Sequence, residues 1–109
     1  MKTILVRYKT SEASAEENVA RVAAVFEELR SRKPEGIRYA TYRLADGVSF
    51  LHIASLEADD HNPLLALPSF QAFQQGIKQR CVEMPVVSEV SVVGAYGPAT
   101  WPPPGRGTP

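Results

Sequence analysis

Hydrophobic residues recur along this chain with two different periods, and the order of those periods constrains the fold more than any other feature. A period of two indicates a strand, whereas a spacing of three and four residues indicates a helix with one apolar face. The sequence predicts strands over residues 2–9, 37–44, 48–56 and 86–95, and helices over about residues 15–32 and 69–82. This β-α-β-β-α-β order predicts an α+β domain with one four-stranded antiparallel sheet, the ferredoxin-like arrangement.

Capping and turn residues mark two of the boundaries between these segments. Ser14 and Glu17 have the S-x-x-E spacing of a capping box at the start of the first helix. Asp46 and Gly47 lie between two β-rich runs. This dipeptide predicts a hairpin, because the turn requires positive φ.

Composition bounds the organisation of the chain and its partners. The 109 residues fit a single domain, which we expect over residues 1–96, followed by a Pro/Gly-rich tail over residues 97–109. Basic and acidic residues number twelve each. This balance argues against nucleic acid or an anionic membrane as the partner. Cys81 is the only cysteine, so no intrachain disulfide can form. No apolar run suits a signal peptide or a membrane span, and a cytoplasmic location is the simplest interpretation.

Both faces of the predicted sheet carry apolar residues, although two helices can cover only one face. In the fourth strand segment Val86 and Val90 alternate with Val87, and in the third Phe50 alternates with Leu51. A sheet with one face in water would carry its apolar residues on the other face. We therefore predict a homodimer in which the uncovered sheet faces of two copies pack together.

Two segments carry a further signal, DGVSFLHIASLE at residues 46–57 and NPLLALPSFQAFQQGI at residues 62–77. Together with the element order, they resemble the dimeric α+β barrel superfamily, and most closely its antibiotic-biosynthesis-monooxygenase-like domains. The resemblance covers residues 2–95. It implies a dimeric α+β barrel with a pocket between the helices and the sheet of each subunit.

Members of this superfamily include cofactor-independent monooxygenases, haem-degrading enzymes and small-molecule isomerases, so the fold by itself fixes little about function. In the monooxygenases the substrate itself activates oxygen. The haem-degrading branch binds iron through a histidine on the second helix, and this chain has no histidine in residues 69–82. The resemblance therefore implies a small hydrophobic or aromatic ligand and no cofactor.

His52 is the candidate catalytic residue. It shares a strand face with Phe50, Ala54 and Leu56, so we expect its side chain to point into an apolar interior. Burial there favours the neutral imidazole, which could act as a general base toward an acidic phenol or enol. The alternative is a core or interface histidine whose ring nitrogens are satisfied by neighbouring groups.

The candidate substrate-binding residues are Tyr42, Phe26, Phe73 and Arg38. A flat apolar ligand would pack against the aromatic rings. Arg38 shares a strand face with Tyr42 and could pair with an acidic ligand group. Tyr39 faces the other side of the same strand, so Tyr39 and Tyr42 cannot both line one pocket.

No metal site is expected from the sequence. Asp59, Asp60 and His61 are adjacent loop residues that point in different directions, whereas a zinc site needs three or four converging ligands. Cys81 lies on the apolar side of the predicted second helix and has the pattern of a small buried hydrophobe.

Three functions remain open from the sequence. The first is a cofactor-independent monooxygenase or isomerase that acts on a hydrophobic, phenolic compound with His52 as the base. The second is a non-catalytic small-molecule-binding or stress-related dimer. The third is a structural module with a filled core. A cavity that touches His52 would favour the first two.

Overall fold

The computed structural model describes residues 1–97, and its elements follow the predicted order. The strands are β1 (Lys2–Thr10), β2 (Ile37–Arg43), β3 (Ser49–Leu56) and β4 (Cys81–Val90), and the helices are α1 (Ala15–Arg32), α2 (Pro68–Gln75) and α3 (Ile77–Arg80). Two 3-10 turns, Glu12–Ser14 and Pro63–Ala66, precede α1 and α2. None of the described helices is long and apolar enough to span a membrane. Apart from Gly97, the predicted tail lies outside the described residues.

The four strands form one antiparallel sheet in the order β2-β3-β1-β4. β1 and β3 are central, while β2 and β4 form the edges. This topology confirms the predicted ferredoxin-like α+β fold.

The strand register assigns each side chain to one of two faces, because directly paired residues project from the same face. Tyr8 pairs with Phe50, and both are buried in the core with residues from α1 and α2. Val6 pairs with His52, so His52 also projects from this helix-covered face. The opposite face, which we call the open face, carries Leu5, Leu51, Ile53, Val86 and Val90.

The second helix is shorter than predicted. α2 ends at Gln75, Gly76 follows with φ −100° and ψ 3°, and α3 ends at Arg80. Cys81 already pairs with Thr10 of β1, so the end of the predicted helix belongs to β4. Backbone pairing with a central strand therefore overrides the helical spacing of the apolar residues.

The fourth strand is shifted accordingly. It was predicted over residues 86–95 but spans Cys81–Val90. Val90 pairs with Thr3, and β1 begins at Lys2, so almost no backbone of β1 remains beyond Val90 to extend the ladder. Pro85 is accommodated because β4 is an edge strand, where a missing N–H is tolerated.

The start of α1 does not use the predicted capping box. Ser14 has helical backbone angles and makes no side-chain capping bond. The hydroxyl of Ser11 instead accepts a hydrogen bond from the backbone N–H of Ser14, at 3.2 Å. The 3-10 turn moves the cap upstream, because a capping residue needs the extended backbone that Ser11 has.

The hairpin between β2 and β3 is confirmed. Gly47 has a φ of +80°, in the left-handed region that glycine adopts more readily than other residues. The Asp46 carboxylate accepts hydrogen bonds from the backbone N–H groups of Val48 and Ser49 and from the Ser49 hydroxyl. These bonds lower the pKa of Asp46 to about 2.

Candidate active site

A cavity of about 190 Å³ lies between the helix-covered face of the sheet and the segment that contains α2 and α3. Its apolar wall consists of Ile4, Val6, Ala54, Leu64, Phe70, Phe73, Ile77, Pro85 and Val87. Its polar side chains are Tyr8, Tyr39, His52, Asn62 and Gln74. An apolar cavity with a few convergent polar groups is the usual form of a small-molecule site.

His52 forms the centre of the polar part of this cavity. Its side chain is 5% exposed, and the Tyr8 hydroxyl lies 2.8 Å from Nε2. On the other side of the ring, the Tyr39 hydroxyl lies 2.6 Å from Nδ1, and the Thr41 hydroxyl lies 3.1 Å from the same atom. Burial lowers the pKa of His52 to about 4, so the imidazole is neutral near pH 7.

The two tyrosines beside His52 are also held in their neutral forms. Burial raises the pKa of Tyr8 well above its ordinary value, although a hydrogen bond from Asn18 opposes this effect. Burial also raises the pKa of Tyr39 to about 12. The cluster therefore combines a proton-accepting imidazole with two hydroxyl groups that can each donate and accept a hydrogen bond.

The hydrogen-bond chain continues from Tyr8 away from His52. The side-chain amide of Asn18 donates to the Tyr8 hydroxyl at 2.8 Å, and Nε of Arg80 donates to Oδ1 of Asn18 at 3.0 Å. A second guanidinium nitrogen of Arg80 donates to the carbonyl oxygen of Phe73 at 2.9 Å. Asn18 is 0% exposed and Arg80 is 3% exposed, so this end of the chain is enclosed by protein.

A second, more open cleft of about 450 Å³ lies between α1 and the β2 edge of the sheet. The ring of Tyr39 lines both cavities and so separates them. The ring of Phe26 stacks on Tyr39, with centroids 5.1 Å apart and 15° between the planes. Phe26 thus supports the wall between the two cavities.

The structure divides the predicted site residues into two groups. Phe73 lies against His52, with ring centroids 5.4 Å apart, and Phe26 reaches the same region through Tyr39. Tyr42 pairs with Leu51, which places it on the open face, and Arg38 lies on the same side of β2. This corrects their assignment to one pocket with Phe26 and Phe73, because successive side chains of a strand point to opposite faces.

The loop residues outside this cluster form no site. His61 is exposed, and the Asp59 carboxylate lies 3.7 Å from the N-terminal amino group. No group of three or more potential metal ligands occurs among residues 1–97. Cys81 is half-buried against the core, and its burial raises the pKa of the thiol.

Sequence reasoning did not single out Tyr8, Asn18 or Arg80 as site residues. Asn18 was detectable, because it lies three residues after Ala15 and seven before Val25, on the buried side of α1. Arg80 follows Phe73 by seven residues, which also places it on an apolar side. A polar side chain on an apolar helix face must find a buried hydrogen-bond partner. The position of Asn18 and Arg80 on such faces therefore indicated a buried polar cluster.

Solved structures of other proteins share this architecture, although their sequences differ widely from this one. No family model matches the sequence, and no curated protein matches it significantly. A structure described as an antibiotic biosynthesis monooxygenase has a TM-score of 0.67 and 13% identity, covering 86% of this chain and 100% of its own.

Two further solved structures show the same similarity. A Nitrosomonas europaea protein provisionally assigned to the same monooxygenases has a TM-score of 0.72 and 12% identity, covering 86% of this chain and 100% of its own. A Mycobacterium tuberculosis protein has a TM-score of 0.69 and 14% identity, covering 88% of this chain and 98% of its own. The chain therefore has the ferredoxin-like α+β fold of the antibiotic biosynthesis monooxygenase-like proteins, as its sequence predicted.

Proposed function

We propose that this protein binds a small phenolic compound in the cavity beside His52 and oxygenates it without a cofactor. The observation that carries the proposal is a neutral, buried imidazole held between two tyrosine hydroxyls on an apolar cavity. This arrangement provides an apolar surface for an aromatic ring and a polar group for its hydroxyl. The similarity of fold to the antibiotic biosynthesis monooxygenase-like structures supports the same reaction class.

The size of the cavity limits the substrate. Its volume of about 190 Å³ is slightly larger than the roughly 150 Å³ of an apolar cavity that holds benzene. It is smaller than the range of about 300–1,000 Å³ for pockets that hold drug-sized ligands. We therefore expect phenols with one or two rings to fit better than compounds with three or more rings.

The proton chemistry follows from the state of His52. A bound phenol would pass its hydroxyl proton to the neutral imidazole, through one of the two tyrosine hydroxyls that already contact the ring. The product is a phenolate next to an imidazolium. Each buried charge stabilises the other, which offsets the desolvation that lowers the pKa of free His52.

The phenolate then serves as the reductant of molecular oxygen. A ring carbon bearing hydrogen gives up two electron pairs to O₂, one oxygen atom becomes its new carbonyl oxygen, and the other leaves as water. One phenol and one O₂ thus yield one quinone and one H₂O, and no external reductant is needed. Phe73 and the other apolar side chains would hold the ring and exclude water.

The experiment compares phenol, 1-naphthol and a three-ring anthrone under ¹⁸O₂. We expect oxygen uptake with the first two compounds and one ¹⁸O atom in each quinone product. His52→Gln should lower the rate by about 10²–10⁴-fold, the usual contribution of a general base. His61→Gln changes the other, exposed histidine and should leave the rate unchanged. Turnover that persists in His52→Gln would contradict the role of His52.

A non-catalytic binding function is the second candidate, and one observation favours it. Both ring nitrogens of His52 are already within hydrogen-bond distance of hydroxyl groups, so a ligand meets no free imidazole lone pair. Binding of the phenols without oxygen uptake would support this alternative. Failure of all three compounds to bind would exclude both functions.

We also propose that the protein is a homodimer formed through the open face. Val86 is 64% exposed and Val90 is 36% exposed, although both project from a regular strand. Tyr42 on the same face is 40% exposed, so it and Arg38 belong with this surface rather than with the cavity. Burial of such a face contributes roughly 25 cal/mol for each Å² of apolar surface removed from water.

A further inference from the structure

We infer that Arg80 and Asn18 are positioning residues for the chain of hydrogen bonds that runs through Tyr8 and His52. They fix its direction, that is, which group donates and which group accepts at each contact. In this direction Nε2 of His52 is the proton-accepting atom and Tyr39 is left as a hydrogen-bond donor to the ligand. The consequence for the ligand rests on the phenol binding proposed above. The direction itself rests only on the contacts of the buried side chains.

The direction is set at Arg80, because a guanidinium group can donate hydrogen bonds but cannot accept them. Its Nε lies 3.0 Å from the side-chain oxygen of Asn18, so that contact requires the amide oxygen to face Arg80. The amide nitrogen of Asn18 must then face Tyr8, where it donates to the hydroxyl oxygen at 2.8 Å. Within residues 1–97 no carboxylate forms an ion pair with Arg80 that could weaken this constraint.

The constraint passes from Tyr8 to His52. The Tyr8 oxygen already accepts a hydrogen bond from Asn18, and its only other hydrogen-bond contact in the described chain is Nε2 of His52 at 2.8 Å. The hydroxyl hydrogen therefore points at Nε2, since a buried donor without a partner is costly. Nε2 is then the acceptor of the neutral ring, and Nδ1 carries the proton.

The constraint ends at Tyr39. A protonated Nδ1 must donate, so the Tyr39 oxygen at 2.6 Å accepts, with the Thr41 oxygen at 3.1 Å as a second acceptor. The Thr41 hydroxyl donates to the Tyr39 oxygen, so the Tyr39 hydroxyl hydrogen is left to bond a ligand oxygen in the cavity that this ring lines. A polarised donor of this kind is suited to a quinone carbonyl oxygen.

The proton of a bound phenol consequently enters on the Tyr8 side. Tyr39 lies on the opposite side of the imidazole, so it donates to a second ligand oxygen, the one that becomes the new carbonyl oxygen of the quinone. The ligand O–H bond breaks as a new O–H bond forms on Tyr8, and the original Tyr8 proton moves to Nε2 of His52. His52 becomes an imidazolium, the ligand becomes a phenolate, and Tyr8 is unchanged. Arg80 and Asn18 transfer no proton, but they decide which tyrosine does.

The first test is the tautomer of His52, read from the ¹⁵N chemical shifts and long-range ¹H–¹⁵N couplings of the imidazole ring. In the unmodified protein we expect the proton on Nδ1. Asn18→Asp replaces the amide with a carboxylate of the same shape, which accepts from both Arg80 and Tyr8. Tyr8 must then accept from His52, and we expect the proton to move to Nε2.

Gln75→Glu is the matched control, because it also replaces an amide with a carboxylate, at an exposed position of α2 that does not line the cavity. The tautomer should stay on Nδ1 in this variant. A proton on Nε2 in the unmodified protein would overturn the inference, even if Asn18→Asp does not fold. An unchanged tautomer in folded Asn18→Asp would overturn it as well.

The second test uses 4-nitrophenol as a coloured probe of the cavity. If Tyr39 donates to the ligand, the bound probe should ionise at a lower pH than the free probe. Tyr39→Phe and Asn18→Asp should each weaken binding of the phenolate by about tenfold, one by removing the donor and the other by turning it toward Nδ1. Equal binding by all three proteins would contradict the role of Tyr39. Failure of the probe to bind at all would count against the proposed function, while the tautomer measurement would still decide the direction of the chain.

Discussion

The phenol oxygen of Tyr8 lies 2.8 Å from Nε2 of His52, and this contact joins two neighbouring strands across the helix-covered face of the sheet. Tyr8 is 2% exposed, and its hydroxyl also accepts from the buried amide of Asn18. The Tyr8 hydroxyl is therefore the hydrogen-bond partner of both His52 and Asn18.

Replacement of Tyr8 by phenylalanine should destabilise the protein. It keeps the ring but leaves the Asn18 amide and Nε2 of His52 without a partner, and each buried unsatisfied group costs about 1–3 kcal/mol. Urea denaturation should therefore show a lower free energy of unfolding. Tyr96→Phe makes the same change at a tyrosine that is 97% exposed, where we expect a difference within about 0.5 kcal/mol. Equal stability of the two variants would contradict the buried chain.

The stability of the protein should fall on acidification because of His52. Its pKa is about 4 in the folded state, whereas an unfolded histidine titrates near pH 6.5, so the unfolded state binds more protons between these values. Stability is then fully present above about pH 6.5 and is lost progressively as the pH falls toward about 4. The loss contributed by this residue is roughly 3 kcal/mol.

Chemical denaturation at several pH values would measure this dependence. His52→Gln should remove most of the slope between pH 4 and pH 6.5, although other titrating groups will contribute to the remainder. His61→Gln should keep the slope, because His61 is exposed. A slope that is identical in the two variants would show that His52 is not buried in its neutral form.

Replacement of Gly76 by alanine should displace Arg80. A Cβ atom on Gly76 would lie 2.6 Å from Nη1 of Arg80, and that nitrogen is buried without a hydrogen-bond partner in the described structure. Alanine favours helix over glycine by about 1 kcal/mol, but the guanidinium group is held by Asn18 and Phe73 and must shift to make room.

The result of Gly76→Ala is therefore a test of the buried chain rather than of helix propensity. We expect a lower melting temperature and an altered chemical shift for the Asn18 amide. Gln75→Ala, at the preceding exposed position, should leave both unchanged. A stabilised Gly76→Ala protein with an unchanged Asn18 amide would show that Arg80 is not confined by Gly76.

Introduction of a charge on the open face should separate the proposed dimer. Val86→Asp places a carboxylate on the part of this face formed by the edge strand β4, where burial against a second copy would require its desolvation. Sedimentation velocity should show a dimer for the unmodified protein and a monomer for the variant. Leu65→Asp makes a similar change on an exposed turn beside α2 and should remain dimeric. A monomeric unmodified protein would exclude the homodimer.

The sequence by itself determined the order of the elements and the side of each strand that faces the core. These properties depend on short-range periodicity and on turn residues such as Gly47, and both can be read from neighbouring positions. The inward direction of His52 followed in the same way, because it shares a strand face with Phe50 and Ala54. The boundary between the second helix and β4 did not, because pairing of Cys81 with Thr10 is a contact between distant segments.

The tertiary structure alone decided how the site is built. Tyr8 and His52 are separated by 44 positions, and Asn18 and Arg80 by 62 positions, so no local pattern relates them. Each of these polar groups is buried, and it must find a partner wherever the packed elements provide one. Packing of α1 and α3 against the sheet brought Arg80, Asn18, Tyr8 and His52 into one chain of hydrogen bonds, and only that packing gives the chain a direction.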